Sequence, residues 1–255
     1  MKKGLSILVV LTFLLSSFGV GNNAFAATKK EEVLYNVEKI KEDKELLKTK
    51  YKEIKVDGKI FKEPKVKVES FLEKENIGSK LKNENSNKQA TQLLKVTKKG
   101  EDEFTAEYVT VAEVTFDENS ISSLAAAESG TTQEEWVTGA RGYVTVYYHV
   151  QIKTDFEDSY DMNYIVVSWA PSSGYNVERR SANMYDIGKS HWDGHYEDAS
   201  LTVTVYPTKN SATQYDVPDA WMPIWEGQLG AKSKAYVAKD TVNYVTLNVD
   251  CKILP

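Results

Sequence analysis

The aromatic segment near the carboxyl end of the chain holds the strongest candidates for ligand binding. Trp221 and Trp225 flank Pro223 at alternate positions, with Met222 and Ile224 between them. In an extended segment, residues two apart share a face, so the two indoles would stand roughly 13 Å apart. If Met222 and Ile224 turn to the core, the tryptophans form a platform for sugars or aromatic-rich partners. With the tryptophans inside, the same segment is packing at a sheet edge.

Four carboxylates crowd one predicted turn, namely Asp155, Glu157, Asp158 and Asp161. Carboxylate oxygens are the ligands that Ca²⁺ prefers, and they commonly reach it from a turn. The spacing lacks the turn glycine of the EF-hand loop. Two interpretations stay open, a calcium site and a solvated acidic loop, and the sequence indicates no other cofactor.

Two histidines four positions apart, His191 and His195, could bind a metal from one helical face. The intervening Asp193-Gly194 instead predicts a two-residue hairpin turn. In that hairpin Trp192 opposes His195 and His191 opposes Tyr196, so the imidazoles point apart. Ordinary polar contacts are then expected in place of a metal site.

No pattern in the sequence identifies catalytic residues. A nucleophilic serine would need an elbow such as G-x-S-x-G, which the chain lacks. His149, the third histidine, alternates within a predicted strand. A glycosidase needs two carboxylates about 5 to 10 Å apart, and many pairs fit that requirement. Those with suitable spacing are Glu134, Glu135, Glu197, Asp198 and Glu226.

The amino-terminal segment predicts export. Lys2 and Lys3 precede an apolar run, and Ala24-Phe25-Ala26 forms a small-residue cleavage site, so residues 1–26 are interpreted as a signal peptide. The alternative, a membrane anchor, would need about 20 apolar residues. We expect a secreted protein, extracellular or loosely associated with the cell wall, with no transmembrane segment after cleavage.

Cysteine usage favours a bacterial origin. Small secreted animal domains are commonly stapled by disulfides, whereas Cys251 is the only cysteine of the 255-residue chain. Its alternation with Val249 and Ile253 predicts a buried thiol. A reactive or intermolecular thiol is the alternative.

Charge divides the chain near residue 100. Residues 28–99 carry 20 Lys and 13 Asp or Glu, for a net +7, whereas residues 100–255 carry 10 Lys or Arg and 24 Asp or Glu, for a net −14. The second part would repel nucleic acid. The sequence therefore predicts a signal peptide (1–26), a basic helical arm with linker (27–99) and an acidic β-domain (100–255).

The predicted arm has a heptad-like stripe. Its members recur at steps of four and three and predict one Lys/Glu-rich helix over 33–54, which could dock on the same chain or dimerise. They are Val33, Val37, Ile40, Lys44, Leu47, Tyr51 and Ile54. Asp57-Gly58 then predicts a hairpin, and the polar stretch 73–89 predicts a linker.

The acidic part alternates as half-buried strands do. The predicted strands are 104–116, 143–153, 162–169, 175–185, 200–206, 234–239 and 242–253. The segment 120–135 is interpreted as a short helix or a loop. Without crossover helices, these strands favour a mainly β fold, an antiparallel β-sandwich of immunoglobulin-like or jelly-roll type.

Three functions are expected from these features. The first is a non-enzymatic binding protein, whose partner is a cell-wall polymer, a glycan or another surface protein. The second is a polysaccharide-directed hydrolase or carbohydrate-binding module that uses Trp221 and Trp225. The third is a β-domain regulated by a removable pro-segment, because the opposite charges of the two parts would favour docking.

Overall fold

Extended chain dominates this protein. The computed structural model describes residues 31–74, 79–82, 87–116, 140–192, 195–238 and 244–255. Within these residues lie antiparallel strands and one short helix, α1 (Asp43–Leu46). The strands are β1 (Glu32–Asn36), β2 (Ile54–Val56), β3 (Lys59–Phe61), β4 (Lys65–Lys74), β5 (Ser79–Lys82), β6 (Asn87–Lys98), β7 (Glu103–Phe116), β8 (Ala140–Lys153), β9 (Ser159–Pro171), β10 (Asn176–Trp192), β11 (His195–Val205), β12 (Thr213–Asp216), β13 (Ile224–Ala238) and β14 (Tyr244–Leu254).

The prediction of a mainly β, antiparallel fold is confirmed. All seven predicted strands overlap observed ones, β7 to β11, β13 and β14. The predicted signal peptide and the segment 120–135 lie outside the described residues. Alternation was a reliable guide because one face of each strand packs inward while the other meets solvent or a second layer.

The strands pair into one twelve-stranded sheet and a separate β2–β3 hairpin. The main path runs β1-β6-β7-β8-β9-β13-β14-β4-β5, while β10 pairs with β13, β11 with β10 and β12 with β9. The link between β9 and β13 is a single residue pair, Tyr160 with Ile224. The two parts of the sheet on either side of this pair are therefore joined at one narrow point.

Side chains from both parts contribute to the main core. The indole Nε1 of Trp169 on β9 donates a hydrogen bond to Ser233 Oγ on β13, at 2.9 Å. Gly142 on β8 permits the closest approach, because a Cβ there would lie 2.7 Å from Val249 Cγ2 and 2.8 Å from the Trp169 ring. Tyr148, fully buried, stacks on Tyr108 at 5.7 Å between ring centroids.

Strands β6 and β7 are covered on their second face as well. Val109 and Val111 point away from the main core, where they pack with Leu94 and with Leu46 of α1. Val37 also packs against this smaller cluster. The segment around α1 thus covers the second face of β6 and β7 with apolar side chains.

The structure corrects the predicted helical arm. Residues 33–54 contain part of β1, the four-residue α1 and the first residue of β2. The edge of β6 offers unpaired backbone groups to β1, and the Val37 N–H donates to Leu94 O at 2.9 Å. Leu47 packs on the second face of β6 and β7, whereas Val33 and Ile40 of the same stripe are exposed, so the stripe does not form one buried face.

The predicted division near residue 100 does not separate the described strands. β4 pairs with β14, β6 pairs with β7, and Glu31–Pro255 forms one compact unit. The described residues of the predicted 73–89 linker belong to β4, β5 and β6. Opposite charges from the two predicted parts instead meet across neighbouring strands, as in the ion pair of Lys95 on β6 with Glu107 on β7 at 3.0 Å.

One predicted turn and one predicted strand register are confirmed; Asp193 and Gly194 themselves lie outside the described residues. Asp57 (φ 47°) and Gly58 (φ 78°) both adopt the left-handed conformation that a two-residue hairpin turn requires, and they join β2 to β3. In the β10–β11 hairpin, Trp192 pairs with His195 and His191 with Tyr196.

Candidate functional site

Trp225 lies at a bulge between β10 and β13. Lys189 pairs with Glu226 and Ser190 with Ile224, so Trp225 is the extra residue of β13. Ile224 is fully buried in the core, whereas Trp225 remains partly exposed. A bulge of this kind re-aims a side chain that regular pairing would fix.

Trp221 is placed differently from Trp225. It precedes β13, its N–H donates to Pro218 O at 3.0 Å, and its side chain packs partly against the main core. The two tryptophans therefore do not occupy two positions of one regular strand. A two-indole platform stays a prediction, and Trp225 is the better placed of the two for contact with a ligand.

A lysine and a glutamate accompany Trp225. Lys189 Nζ lies 5.4 Å from the centroid of the Trp225 ring and 2.7 Å from Glu226 Oε2. A cation over an indole face gives an attraction of about 0.5–1 kcal/mol at an exposed position. Together the three side chains offer an aromatic surface with a hydrogen-bond donor and acceptor, which suits stacking on a polar ring.

The four carboxylates of the predicted calcium loop take separate environments. Asp155 sits in the β8–β9 turn at φ 69°, and Glu157 is exposed nearby. Burial raises the pKa of Asp158, and the charge of Lys59 opposes that rise. Within the described ranges, no group of three His, Cys, Asp or Glu side chains is arranged to hold a metal ion.

Asp161, the fourth carboxylate, belongs to β9 and faces His149 of β8. Its Oδ2 lies 3.4 Å from His149 Nε2, and His149 Nδ1 lies 2.9 Å from Asn163 Oδ1. No Ser, Thr or Cys side chain of the described residues hydrogen bonds to this imidazole.

The carboxylates considered for glycoside hydrolysis are mostly untested. Glu134 and Glu135 lie outside the described residues, as do the side chains of Glu197 and Asp198. Glu226 forms the ion pair with Lys189. The side chains of His191 and His195 also lie outside the described part.

Sequence analysis did not single out Asp186, a fully buried carboxyl group on β10. Neither of its carboxylate oxygens has a hydrogen-bond partner among the described residues. Burial, and after it the charge of Asp161, raises the pKa of Asp186 to about 7. The sequence feature that could have identified Asp186 is its alternation with Ala182 and Met184, both of which face the core.

A second unexpected feature is an open groove of about 460 Å³ between the segment 41–54 and β6. Leu46 and Leu93, both buried, form its apolar lining together with Tyr35 and Tyr51. Tyr51 is fixed in place, because its hydroxyl donates a hydrogen bond to Phe61 O at 2.9 Å. Burial raises the pKa of Tyr51 to about 12, so this hydroxyl stays protonated at neutral pH.

Three lysines line the same groove, namely Lys41, Lys50 and Lys52. All three are exposed, and none forms an ion pair with a described residue. The Lys41 N–H donates to Gln92 Oε1 at 3.3 Å and ties this side of the groove to β6. Glu63 and Glu53 are negative charges close to Tyr51 of the lining, and Glu63 hydrogen bonds to Thr91.

No protein-family model, no characterised protein and no solved structure matches this chain. Its function is therefore argued from its own residues. In the part of the chain that the structure describes, no helix is both long and apolar enough to cross a membrane.

Proposed function

We propose that this is a secreted bacterial protein that acts by binding at the cell surface or in the extracellular space, not by catalysis. One observation carries the proposal: nine exposed lysines between residues 39 and 65 form no ion pair with a described residue. They are Lys39, Lys41, Lys44, Lys48, Lys50, Lys52, Lys55, Lys62 and Lys65.

The local charge favours an anionic partner. Residues 39–67 contain 11 Lys and 6 Asp or Glu, for a net +5, although the whole chain has a net charge of −5. Charges separated by more than about 10 Å are screened at moderate salt, so a partner meets the local excess and not the net value. Anionic cell-wall polymers and anionic membrane surfaces both present dense negative charge to such a segment.

The fold supplies a scaffold for this segment. We infer a β-sandwich of immunoglobulin-like or jelly-roll type, supported by the Trp169–Ser233 hydrogen bond between the two parts of the sheet. α1 and its flanking residues rest on β6 and β7 through Leu46 and Val37. The lysines are therefore attached to a packed surface, which reduces the entropy lost on binding.

The test is cosedimentation of the protein with purified cell-wall sacculi and, separately, with anionic liposomes, each at low and high salt. We expect retention at low salt and release at high salt, because surface ion pairs are screened. Lys44→Glu with Lys48→Glu should weaken retention. Lys153→Glu with Lys209→Glu, the same charge change elsewhere on the surface, should leave it intact.

Two results would refute electrostatic tethering. One is retention that does not respond to salt, and the other is equal weakening by the two double variants. Repeating the cosedimentation with added calcium and then with a chelator tests the predicted site at Asp155, Glu157, Asp158 and Asp161. Calcium-dependent retention would support that site.

A second candidate function, carbohydrate binding or a polysaccharide-directed hydrolase, is favoured by Trp225 and its neighbours Lys189 and Glu226. Trp225→Ala should then abolish retention on soluble glycans at all salt concentrations, while Trp221→Ala should have a smaller effect. Unchanged retention of the Trp225 variant would count against this function.

The pro-segment alternative finds little support in the strand pairing. Removing residues 27–99 would take away α1 and the strands β1 to β6. It would expose the edges of β7 and β14, and unpaired strand edges favour aggregation. We therefore do not propose that this segment is shed.

A further inference from the structure

We propose that the groove between residues 41–54 and β6 binds an anionic carbohydrate unit, a sugar or polyol that carries a phosphate or carboxylate group. This inference rests on the proposed function, since it names the ligand class and the place where the basic segment recognises it. It adds a defined pocket to what would otherwise be a diffuse attraction between charges.

The size and lining of the groove suit a small polar ring. Its volume of about 460 Å³ lies within the range of roughly 300–1,000 Å³ found for small-molecule sites. Tyr35 and Tyr51 supply aromatic rings that suit the apolar face of a sugar, while the Tyr51 hydroxyl is already bonded to Phe61 O. Thr49 and Gln92 add further polar groups to the lining.

The cationic rim selects for negative charge. Lys41, Lys50 and Lys52 come from one chain segment and all belong to the lining of a single groove. Because no described residue pairs with them, an anionic group of the ligand would be their first ionic partner. Hydrogen bonds between an ammonium group and an anionic oxygen are about twice as strong as neutral ones.

The groove is also held in shape without a ligand. Leu46 is buried against β6 and β7, and the Tyr51 hydroxyl is bonded to Phe61 O. The Lys41 N–H reaches Gln92, so both ends of the segment are fastened to the neighbouring strands. A site that is formed in advance loses less conformational entropy when its ligand binds.

The experiment is isothermal titration calorimetry of the protein with four probes: glucose 1-phosphate, inorganic phosphate, glucose and poly(glycerol phosphate). The test variant is Lys41→Ala with Lys50→Ala and Lys52→Ala. The matched control has the same charge change at three exposed lysines that do not line the groove, Lys55→Ala with Lys62→Ala and Lys65→Ala.

Glucose 1-phosphate should bind more tightly than either inorganic phosphate or glucose, because only it uses both the tyrosines and the lysines. The groove variant should bind it at least about tenfold more weakly than the control variant does. Tighter binding of poly(glycerol phosphate) identifies an envelope polymer as the source of the ligand. Tighter binding of the monomer identifies a free phosphorylated sugar.

Equal weakening in the two triple variants would overturn the inference, since the charge would then act without a defined site. Equal affinity for inorganic phosphate and glucose 1-phosphate would overturn its carbohydrate part. Retention on sacculi without binding of any probe would refute the groove and leave the proposed function standing. Binding of glucose 1-phosphate without retention on sacculi would support the groove and refute the proposed function.

Discussion

Replacing Asp186 by asparagine is expected to remove a pH-dependent loss of stability from the protein. The carboxyl group is fully buried, without a hydrogen-bond partner among the described residues, and its pKa is raised to about 7. In the unfolded chain an aspartate has a pKa of about 3.9. As the pH rises above about 4, the unfolded state therefore releases this proton first, and the folded state loses stability until the pH passes about 7.

The size of the effect follows from the two pKa values. A difference of about three pH units corresponds to about 4 kcal/mol in the free energy of unfolding. Below pH 4 the group is neutral in both states, so Asp186→Asn and the wild type should have similar stability. At pH 8 the variant should be more stable by about 4 kcal/mol, which is a large fraction of the 5–15 kcal/mol typical of domains.

The assay is urea unfolding followed by tryptophan fluorescence from pH 4 to pH 8, for the wild type and the variant. Asp219→Asn, at an exposed position in a turn, is the matched control and should follow the wild type at every pH. The difference between the Asp186 variant and the wild type reports Asp186 together with its interaction with Asp161, because the remaining titrations are common to both. A difference that stays constant across this range would refute the reasoning.

Three further predictions concern particular contacts. Lys252→Met should lower stability by about 1 kcal/mol above pH 5 and have little effect near pH 2. The reason is that hydrogen bonds from Lys252 and, after it, from Lys67 lower the pKa of Glu69 to about 2. Urea unfolding at both pH values checks this prediction. Gly188→Ala should cost at least about 2 kcal/mol, since its Cβ would overlap the backbone carbonyl of Glu226; an unchanged Tm would contradict it. Cys251 should react with a thiol reagent at least about 100-fold more slowly in the native protein than in denaturant, because burial raises its thiol pKa; equal rates would show an accessible thiol.

Much of the β-structure could be predicted because it depends on local patterns. β7 alternates over its first residues and β8 over its last ones, while the middle of β7 and the first half of β8 contain residues buried on both faces. The Asp57-Gly58 turn was predictable since left-handed backbone conformations favour these residue types. Cys251 was predicted to be buried from its place in the alternation of β14, and it is.

The candidate sites were less predictable, because they depend on which segments meet. Trp225 was singled out from its spacing, but the bulge that displaces it depends on the register of β13 against β10. The acidic residues of the β8–β9 region are neighbours in sequence, yet Asp161 turns to His149 on the adjacent strand. Sequence proximity therefore did not establish a shared site.

What the sequence determined by itself was the location of the seven predicted strands and of the Asp57-Gly58 turn, since side-chain alternation and turn chemistry act over a few residues. Only the tertiary structure decided the conformation of residues 33–54, where pairing with the edge of β6 and burial of Leu46 replaced the expected helix. The same packing created the lysine-lined groove, and the pairing of β10 with β11 and β13 placed Asp186 in a buried position. The physical reason is that burial and strand pairing join residues distant in the chain, and the free energy of those contacts exceeds the weak helical preference of a short segment.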